Sequence, residues 1–285
     1  TIRPKAPKVS TTGWIEKLGF FRHLSFNARW NYRDAKRNKF RGLMTIIGVI
    51  GCTALLVSAF GMYDGMNDLK EWEFNQINHY DSKLVIDDEA TDSEIDDVAE
   101  EVNGDKIMES AIEIESDGVK KSGSLLVLNH TDLVTPTDYD WNKIDIKDDE
   151  VSISRKMADM LGVDVGDTVK WHIMGSDKWI KTKIDKIHAD PTSQGFIMSA
   201  DKLEDLDLNY TATSIVTAEH VDKNYTAIKT ANSMKDMTSS WDELTESMWL
   251  LIYILIFFAS LLAVVVLYNL GLLSFTEIER EIATL

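Results

Sequence analysis

Two uncharged, largely apolar runs dominate the pattern of hydrophobic and polar positions along this chain. Residues 42–63 contain no Asp, Glu, Lys or Arg, and residues 247–276 form a second run without one. A helix of about 20 apolar residues spans the hydrocarbon core of a bilayer. The two runs therefore predict membrane-spanning helices at 42–63 and 247–274.

The 183 residues between the runs, 64–246, show short alternating patterns that are typical of a folded α+β domain. Helical spacing over 64–79 predicts a stalk that continues the first span, and a polar helix from about Ser239 leads into the second. Strand patterns occur at 83–86, 107–115, 124–128, 179–187, 196–198 and 213–217, and helix patterns at 91–102, 201–206 and 225–234.

Two segments carry more specific local signals. Thr91 followed by Glu94 forms a capping box, which predicts that a helix begins there. The segment 151–171 predicts a strand, a helix with Ser154 as its N-cap and Gly162 as its stop, a Gly166–Asp167 turn and a further strand. These signals predict a membrane protein of α-helical spans with an inserted α+β extracytoplasmic domain.

The charge distribution orients this arrangement. The 285 residues carry a net charge of −17, but residues 1–42 hold 11 basic and 2 acidic residues, whereas 64–246 hold 18 basic and 42 acidic ones. Basic residues favour the cytoplasmic side of a span. We therefore expect a multi-pass cell-membrane protein with a cytoplasmic N-terminus, residues 64–246 extracellular and a cytoplasmic C-terminal end. The acidic exterior argues against nucleic acid as a partner, since nucleic-acid binding needs a basic surface.

Both ends of the chain are expected on the cytoplasmic side. Residues 1–41 form a basic linker and an amphipathic helix, which predicts contact with membrane lipids at the inner surface. A plain basic flank to the span is the alternative. Residues 275–285 begin a second cytoplasmic segment. The chain lacks an initiator Met and stops within a helical pattern, so we expect a fragment of a longer protein.

Small side chains recur every three or four residues in the first run and would form one stripe on a helix. Such a stripe allows the backbone of another helix to approach closely. Small residues are also common in membrane helices without such a role. The stripe predicts a helix-packing face at Gly48, Gly51, Ala54, Ser58 and Gly61.

The sequence offers little that indicates chemistry. The best match to a calcium loop begins at Asp138, but Lys143 stands where the loop needs glycine. The six histidines lack zinc spacing, and Cys52 lies in the first apolar run. We predict no catalytic residue, no cofactor and no metal site, and a non-enzymatic role for the chain.

Three stretches together resemble the FtsX-like, MacB-type permeases of ABC transporters. The segment ARWNYRDAKRNKFRGLMTIIGVIGCTALL is similar to the first helix of that family, and VSISRKMADMLGVDVGDTVKW resembles part of its core extracytoplasmic domain. The end, EREIATL, matches the centre of the family motif E-R-x-R-E-I-A-x-L-K-x-L-G. The RPKAPK opening resembles the junction between the halves of large two-repeat permeases of Gram-positive bacteria, and implies the second repeat of such a protein.

The resemblance implies a permease subunit that pairs with a cytoplasmic ABC ATPase and with a second permease half or protomer. It implies that the ATPase is contacted by Glu277, Glu279, Arg280, Glu281 and Leu285. ATP hydrolysis would then move the extracellular domain through the spans, a mechanism called mechanotransmission, for export, extraction or regulation of the cell envelope. The alternative is a two-span sensor or receptor with an extracellular ligand-binding domain.

Overall fold

The computed structural model describes Ser25 and residues 39–129 and 131–282; for residues 39–42, 44, 45 and 269–282 it describes the backbone alone. The chain divides into two compact units. The helical unit comprises Thr1–Tyr63 and Trp249–Leu285, and the sheet unit comprises Asp64–Met248. The amphipathic helix predicted before residue 39 lies outside the described residues.

Two long helices contain the apolar runs. Helix α1 covers Lys39–Glu71 and continues into a π-helical turn, Trp72–Ile77, so the segment with helical spacing over 64–79 is helical as far as Ile77. Helix α5 covers Met234–Ile282, which at 1.5 Å per residue makes it about 73 Å long. It begins five residues before the predicted start because Ser233 caps it: the Asp236 N–H donates to the Ser233 hydroxyl at 3.1 Å. Both helices are long and apolar enough to cross a membrane.

A ten-stranded mixed sheet forms the centre of the sheet unit. Its strands follow the order β10-β1-β9-β2-β3-β8-β4-β7, with β5 pairing to β2 and β6 pairing to β5. Most neighbours are antiparallel, but β3–β8 and β4–β7 are parallel. The strands are β1 Ser82–Ile86, β2 Asp105–Ser116, β3 Val119–Leu128, β4 Val151–Ser154, β5 Thr168–Ile173, β6 Ile180–Lys183, β7 Lys186–His188, β8 Gly195–Ser199, β9 Ser214–Thr217 and β10 Ile228–Ser233.

Three short helices accompany the sheet: α2 Asp92–Glu101, α3 Arg155–Leu161 and α4 Ala200–Asp205. The predicted capping box is present, because the Glu94 N–H donates to the Thr91 hydroxyl and the Thr91 N–H to the Glu94 carboxylate. Gly162 ends α3 with φ +67°, a left-handed conformation that glycine adopts without strain. The predicted α+β character of residues 64–246 agrees with this mixed sheet.

Trp171 lies at the centre of the largest hydrophobic core. Its side chain is fully buried, its indole N–H donates to the Thr182 hydroxyl at 2.8 Å, and its ring meets Phe196 edge-on with centroids 5.6 Å apart. Around it pack the inward residues of β2, β3, β4, β8 and helix α3. Two smaller cores lie beside it: one packs α2 against β1 and β9, and the other surrounds Trp72, Ile77 and Val134.

One local prediction is wrong, and another is right in position although the side chain bonds elsewhere. Residues 225–234 were expected as a helix, but Ile228–Ser233 form strand β10, which pairs antiparallel with β1 from Ser82 to Ile86. The sheet edge decides the conformation there, and β-branched Ile228 and Thr230 favour a strand. Ser154 does occupy the N-cap of α3, yet its hydroxyl accepts the Gly195 N–H at 3.1 Å and makes no bond to the helix.

Candidate functional site

Helices α1 and α5 pack against each other as an antiparallel pair in the helical unit. Gly48 lies opposite Val266, where a Cβ built on the glycine would be 2.6 Å from Val266 Cγ2. At the other end of the pair, the rings of Tyr63 and Trp249 are 4.6 Å apart. Small residues at the contact, including fully buried Ala59, allow this close approach.

The structure divides the predicted stripe of small residues. Gly48 and Gly51 are half-buried and face α5, with Leu262 3.8 Å from a Cβ built on Gly51. Ala54, Ser58 and Gly61 are exposed in the helical unit. Among the α1 side chains that the structure describes, the buried ones are instead Cys52 and Ala59. A packing role for the three exposed small residues stays a prediction.

The faces of the helix pair that point away from the contact are apolar and exposed. On α1, Ile50 is 62% and Val57 66% exposed; on α5, Leu250 is 69% and Leu267 67% exposed. A soluble protein rarely leaves so large a continuous apolar surface uncovered. This surface is therefore the principal candidate interaction surface of the helical unit.

Aromatic side chains mark the end of the pair at which the charged residues resume. Trp249 lies between Tyr63 and Tyr253, with centroid distances of 4.6 and 5.4 Å. Tyr63 is the last residue of the first uncharged run, and Asp64 follows it. Tyr and Trp are enriched where a membrane meets water, because each has an apolar ring and a polar group.

The residues predicted to contact an ATPase lie at the far end of α5. The helix extends through Glu277, Glu279, Arg280 and Glu281 before it ends at Ile282. Only the backbone is described there, and Leu285 lies outside the described residues. These positions therefore share one continuous helix with Met234, and their contacts stay a prediction.

A groove of 550 Å³ in the sheet unit lies beside the π-helical turn. Strands β2 and β3 contribute Glu109, Ala111 and Leu126 to it, and α5 contributes Met237. The turn is fixed to the sheet unit by Trp72, which is buried and donates its indole N–H to the Thr137 hydroxyl at 2.7 Å. The groove thus lies where α1 meets the sheet.

Two carboxylates, Glu73 and Asp190, meet in this groove although they are far apart in sequence. The Thr192 hydroxyl oxygen lies 2.8 Å from Glu73 Oε2 and 3.4 Å from Asp190 Oδ1. The Asn78 side-chain amide donates to Glu73 Oε1 at 2.9 Å, and the Ser193 N–H donates to Asp190 Oδ1. One hydroxyl therefore bridges both acids.

Burial raises the pKa of both carboxyl groups above their ordinary values. For Glu73 the charge of Asp190 raises the pKa further, whereas the Thr192 and Asn78 hydrogen bonds lower it. For Asp190 the backbone N–H groups of Ser193 and Thr192 act against burial. Because those N–H groups stabilise an ionised Asp190, Glu73 is the better place for a proton shared by the pair.

Sequence reasoning missed Glu73, Asp190 and Thr192. Each is a common surface residue type, and no motif joins the π-helical turn to the loop between β7 and β8. One signal was available in the sequence: Glu73 follows the apolar Trp72 in a segment of helical spacing that also contains Ile77. Its spacing places a charge on the side of the stalk that packs inward. Only the sheet topology brings the loop to the turn.

The calcium-like segment and the buried histidine have structural roles. The Asp138 carboxylate accepts the N–H groups of Asp140 and Asn142 at 2.8 and 2.9 Å, which closes a turn, and bonds from Asn142 lower its pKa. His188 contacts the Ser152 hydroxyl through Nδ1 at 2.9 Å, and burial lowers its pKa to about 3. Among the side chains that the structure describes, no three of His, Cys, Asp or Glu are grouped to hold a metal ion.

Comparisons with known proteins give little further constraint. No family model matches the sequence, and no curated protein matches it. Among solved structures, the chain is similar to the extracellular domain of the noncanonic ABC-type transporter YknZ from Gram-positive bacteria, at 15% identity and a TM-score of 0.31. That likeness covers 50% of this chain and 84% of the other. With identity and TM-score this low, it assigns neither family nor function to this chain.

Proposed function

We propose that this chain is a permease subunit of an ABC transporter, with two membrane spans that bracket an extracellular domain. The observation that carries the proposal is the antiparallel α1–α5 pair, whose outward faces are apolar and exposed. The same chain forms a mixed-sheet unit that is rich in acidic residues. Lipid acyl chains or further spans would cover such faces. The basic residues before α1 support a cytoplasmic N-terminus, and the 42 acidic residues of 64–246 lie outside.

The ABC assignment rests on the resemblance of the three sequence stretches to the FtsX-like, MacB-type permeases. Helix α5 supports it physically, because one uninterrupted helix runs from Met234, in the sheet unit, to the charged residues before Ile282. A force applied by an ATPase near Arg280 would travel along that helix toward the extracellular domain. The partners would be the ATPase, a second permease half or protomer, and membrane lipids.

The chain itself would hydrolyse no ATP and form no covalent intermediate. Its task would be to transmit motion for export or extraction of a substrate, or for regulation of the cell envelope. A two-span sensor shares the same topology but needs no ATPase at the cytoplasmic end of α5. Binding of the ATPase at that end therefore separates the two functions.

Charge reversal at the end of α5 tests the proposal. The double variant Arg280→Glu, Glu281→Lys should insert in the membrane like the wild type but lose copurification with the proposed ABC ATPase partner. Glu243→Lys is the matched control, because Glu243 is exposed on the same helix within the sheet unit. If the double variant binds and stimulates the ATPase as well as the control does, the proposed coupling is wrong.

A further inference from the structure

The groove beside the π-helical turn contains more acidic than basic groups. Glu73, Asp190 and Glu109 line it, and Lys83 is the only basic side chain among the described residues that do so. Lys83 pairs with Glu109 at 2.7 Å and acts on Glu73 at longer range. Two partly buried carboxyl groups therefore face each other without a dedicated cation, and their mutual repulsion is relieved if one of them holds a proton.

The Thr192 hydroxyl explains how one proton joins the two acids. A hydroxyl carries one hydrogen, so it can donate to only one of two ionised carboxylates. If Glu73 is protonated, its O–H can donate to Thr192 Oγ1, whose own hydrogen is then free for Asp190 Oδ1. All three groups are then satisfied, and the charge of Asp190 is stabilised by the N–H groups of Thr192 and Ser193.

The three groups also join separate parts of the fold. Glu73 belongs to the π-helical turn at the end of α1, whereas Asp190 and Thr192 belong to the loop between β7 and β8. We propose that Glu73, Thr192 and Asp190 form a proton-dependent clasp, which holds this loop against the end of α1 when Glu73 is protonated and releases it when Glu73 ionises. The clasp operates whether or not the chain couples to an ATPase.

The direction of the pH response follows from the groups that face the clasp. Burial and the Asp190 charge place the pKa of Glu73 above its ordinary value of 4.5, and Lys83 and the hydrogen bonds only partly oppose this. The phenol of Tyr80 stays neutral, since burial raises its pKa too, and Glu109 is paired with Lys83. The folded state therefore binds the proton more tightly than the unfolded state does. Its stabilising effect is complete below pH 4.5 and is lost as the pH rises through the raised pKa.

Hydrogen exchange in the full-length chain, reconstituted in lipid nanodiscs, tests the clasp. The backbone N–H groups of Thr192 and Ser193 donate to Asp190 within the loop, and we expect water to reach them when the loop leaves the end of α1. After correction for the intrinsic pH dependence of exchange, wild-type protection at these amides should be higher at pH 4.5 than at pH 7.5, because the proton on Glu73 is lost as the pH rises. In Glu73→Gln, which carries a permanently neutral amide, protection should be the same at both pH values.

Two further variants keep the test decisive. Asp190→Asn removes the repelling charge, so the fall in protection should move to lower pH; this variant gives the answer if Glu73→Gln fails to fold. Glu100→Gln removes an exposed carboxylate of α2 and should behave like the wild type. The clasp is refuted if wild-type protection does not change with pH, or if Glu73→Gln responds to pH as the wild type does.

Discussion

Substituting Gly48 by alanine should weaken the α1–α5 pair, and the structure gives the size of the effect. The new Cβ would lie 2.6 Å from Val266 Cγ2, well inside normal van der Waals distance, while Cγ1, at 3.4 Å, is already in contact. Rotating Val266 about χ1 would only bring its other methyl group towards the new Cβ, and a β-branched side chain has one favoured rotamer in a helix. The helices must therefore move apart, at a cost of about 1–3 kcal/mol in the free energy of unfolding.

Equilibrium unfolding of the full chain in mixed micelles, titrated with SDS, measures this cost. Gly61→Ala is the matched control, since nothing lies within 4 Å of a Cβ at that position. In the double variant Gly48→Ala, Val266→Ala the added methyl group occupies space vacated by the two methyl groups of Val266, so the two changes should offset each other by a coupling energy of about 1 kcal/mol or more. The helix contact is wrong if Gly48→Ala is no more destabilising than Gly61→Ala, or if the two changes add independently.

Three other perturbations have definite expected outcomes. Trp171→Phe leaves the buried Thr182 hydroxyl without its donor, and should lower the free energy of unfolding by roughly 1–3 kcal/mol, measured by thermal denaturation. His188→Gln should make the protein less sensitive to acid. Burial holds the pKa of His188 at about 3, so the wild type loses stability as the pH falls from 6.5 towards 3. The variant should lose less stability over that range. Glu100→Cys, in a Cys52→Ser background, should react with a membrane-impermeant maleimide in intact cells.

Each of these predictions has a control that the chain itself supplies. Trp179→Phe changes a partly exposed tryptophan and should cost less than Trp171→Phe. His79→Gln removes an exposed histidine and should leave the acid sensitivity in place. Ser10→Cys should react with the maleimide only after lysis, since we expect residues 1–41 in the cytoplasm. Labelling of both cysteines in intact cells would contradict the predicted topology. Equal acid sensitivity of the two histidine variants would contradict the role given to His188.

Periodicity and local chemistry predicted most individual elements of this fold. The Thr91–Glu94 capping box and the Gly162 helix stop depend on neighbouring residues alone, and both are present. Strand β10 could not be predicted in this way, because a short segment with polar and apolar residues takes its conformation from the edge of β1 that it joins. The parallel pairing of β3 with β8 is likewise non-local and leaves no pattern in either strand.

In the candidate sites, too, local features could be predicted from the sequence and non-local contacts could not. The spacing of small residues predicted a packing stripe on the first apolar helix, but only the position of α5 shows that Gly48 and Gly51 face it while Cys52 and Ala59 are buried. The clasp could not be predicted from the sequence, because Glu73 and Asp190 meet only after β7 and β8 have joined the sheet.

The central claim is that ATP hydrolysis in the cytoplasm moves the extracellular domain through α1 and α5. Spin labels at Asp68→Cys and Glu243→Cys, in the Cys52→Ser background, report on the parts of the two helices that lie in the sheet unit, where both side chains are exposed. The complex with its ATPase would be measured in nanodiscs by double electron–electron resonance, without nucleotide and after trapping with ADP and vanadate. We predict that trapping changes the distance between the labels; an unchanged distance in a complex whose ATPase turns over would contradict mechanotransmission.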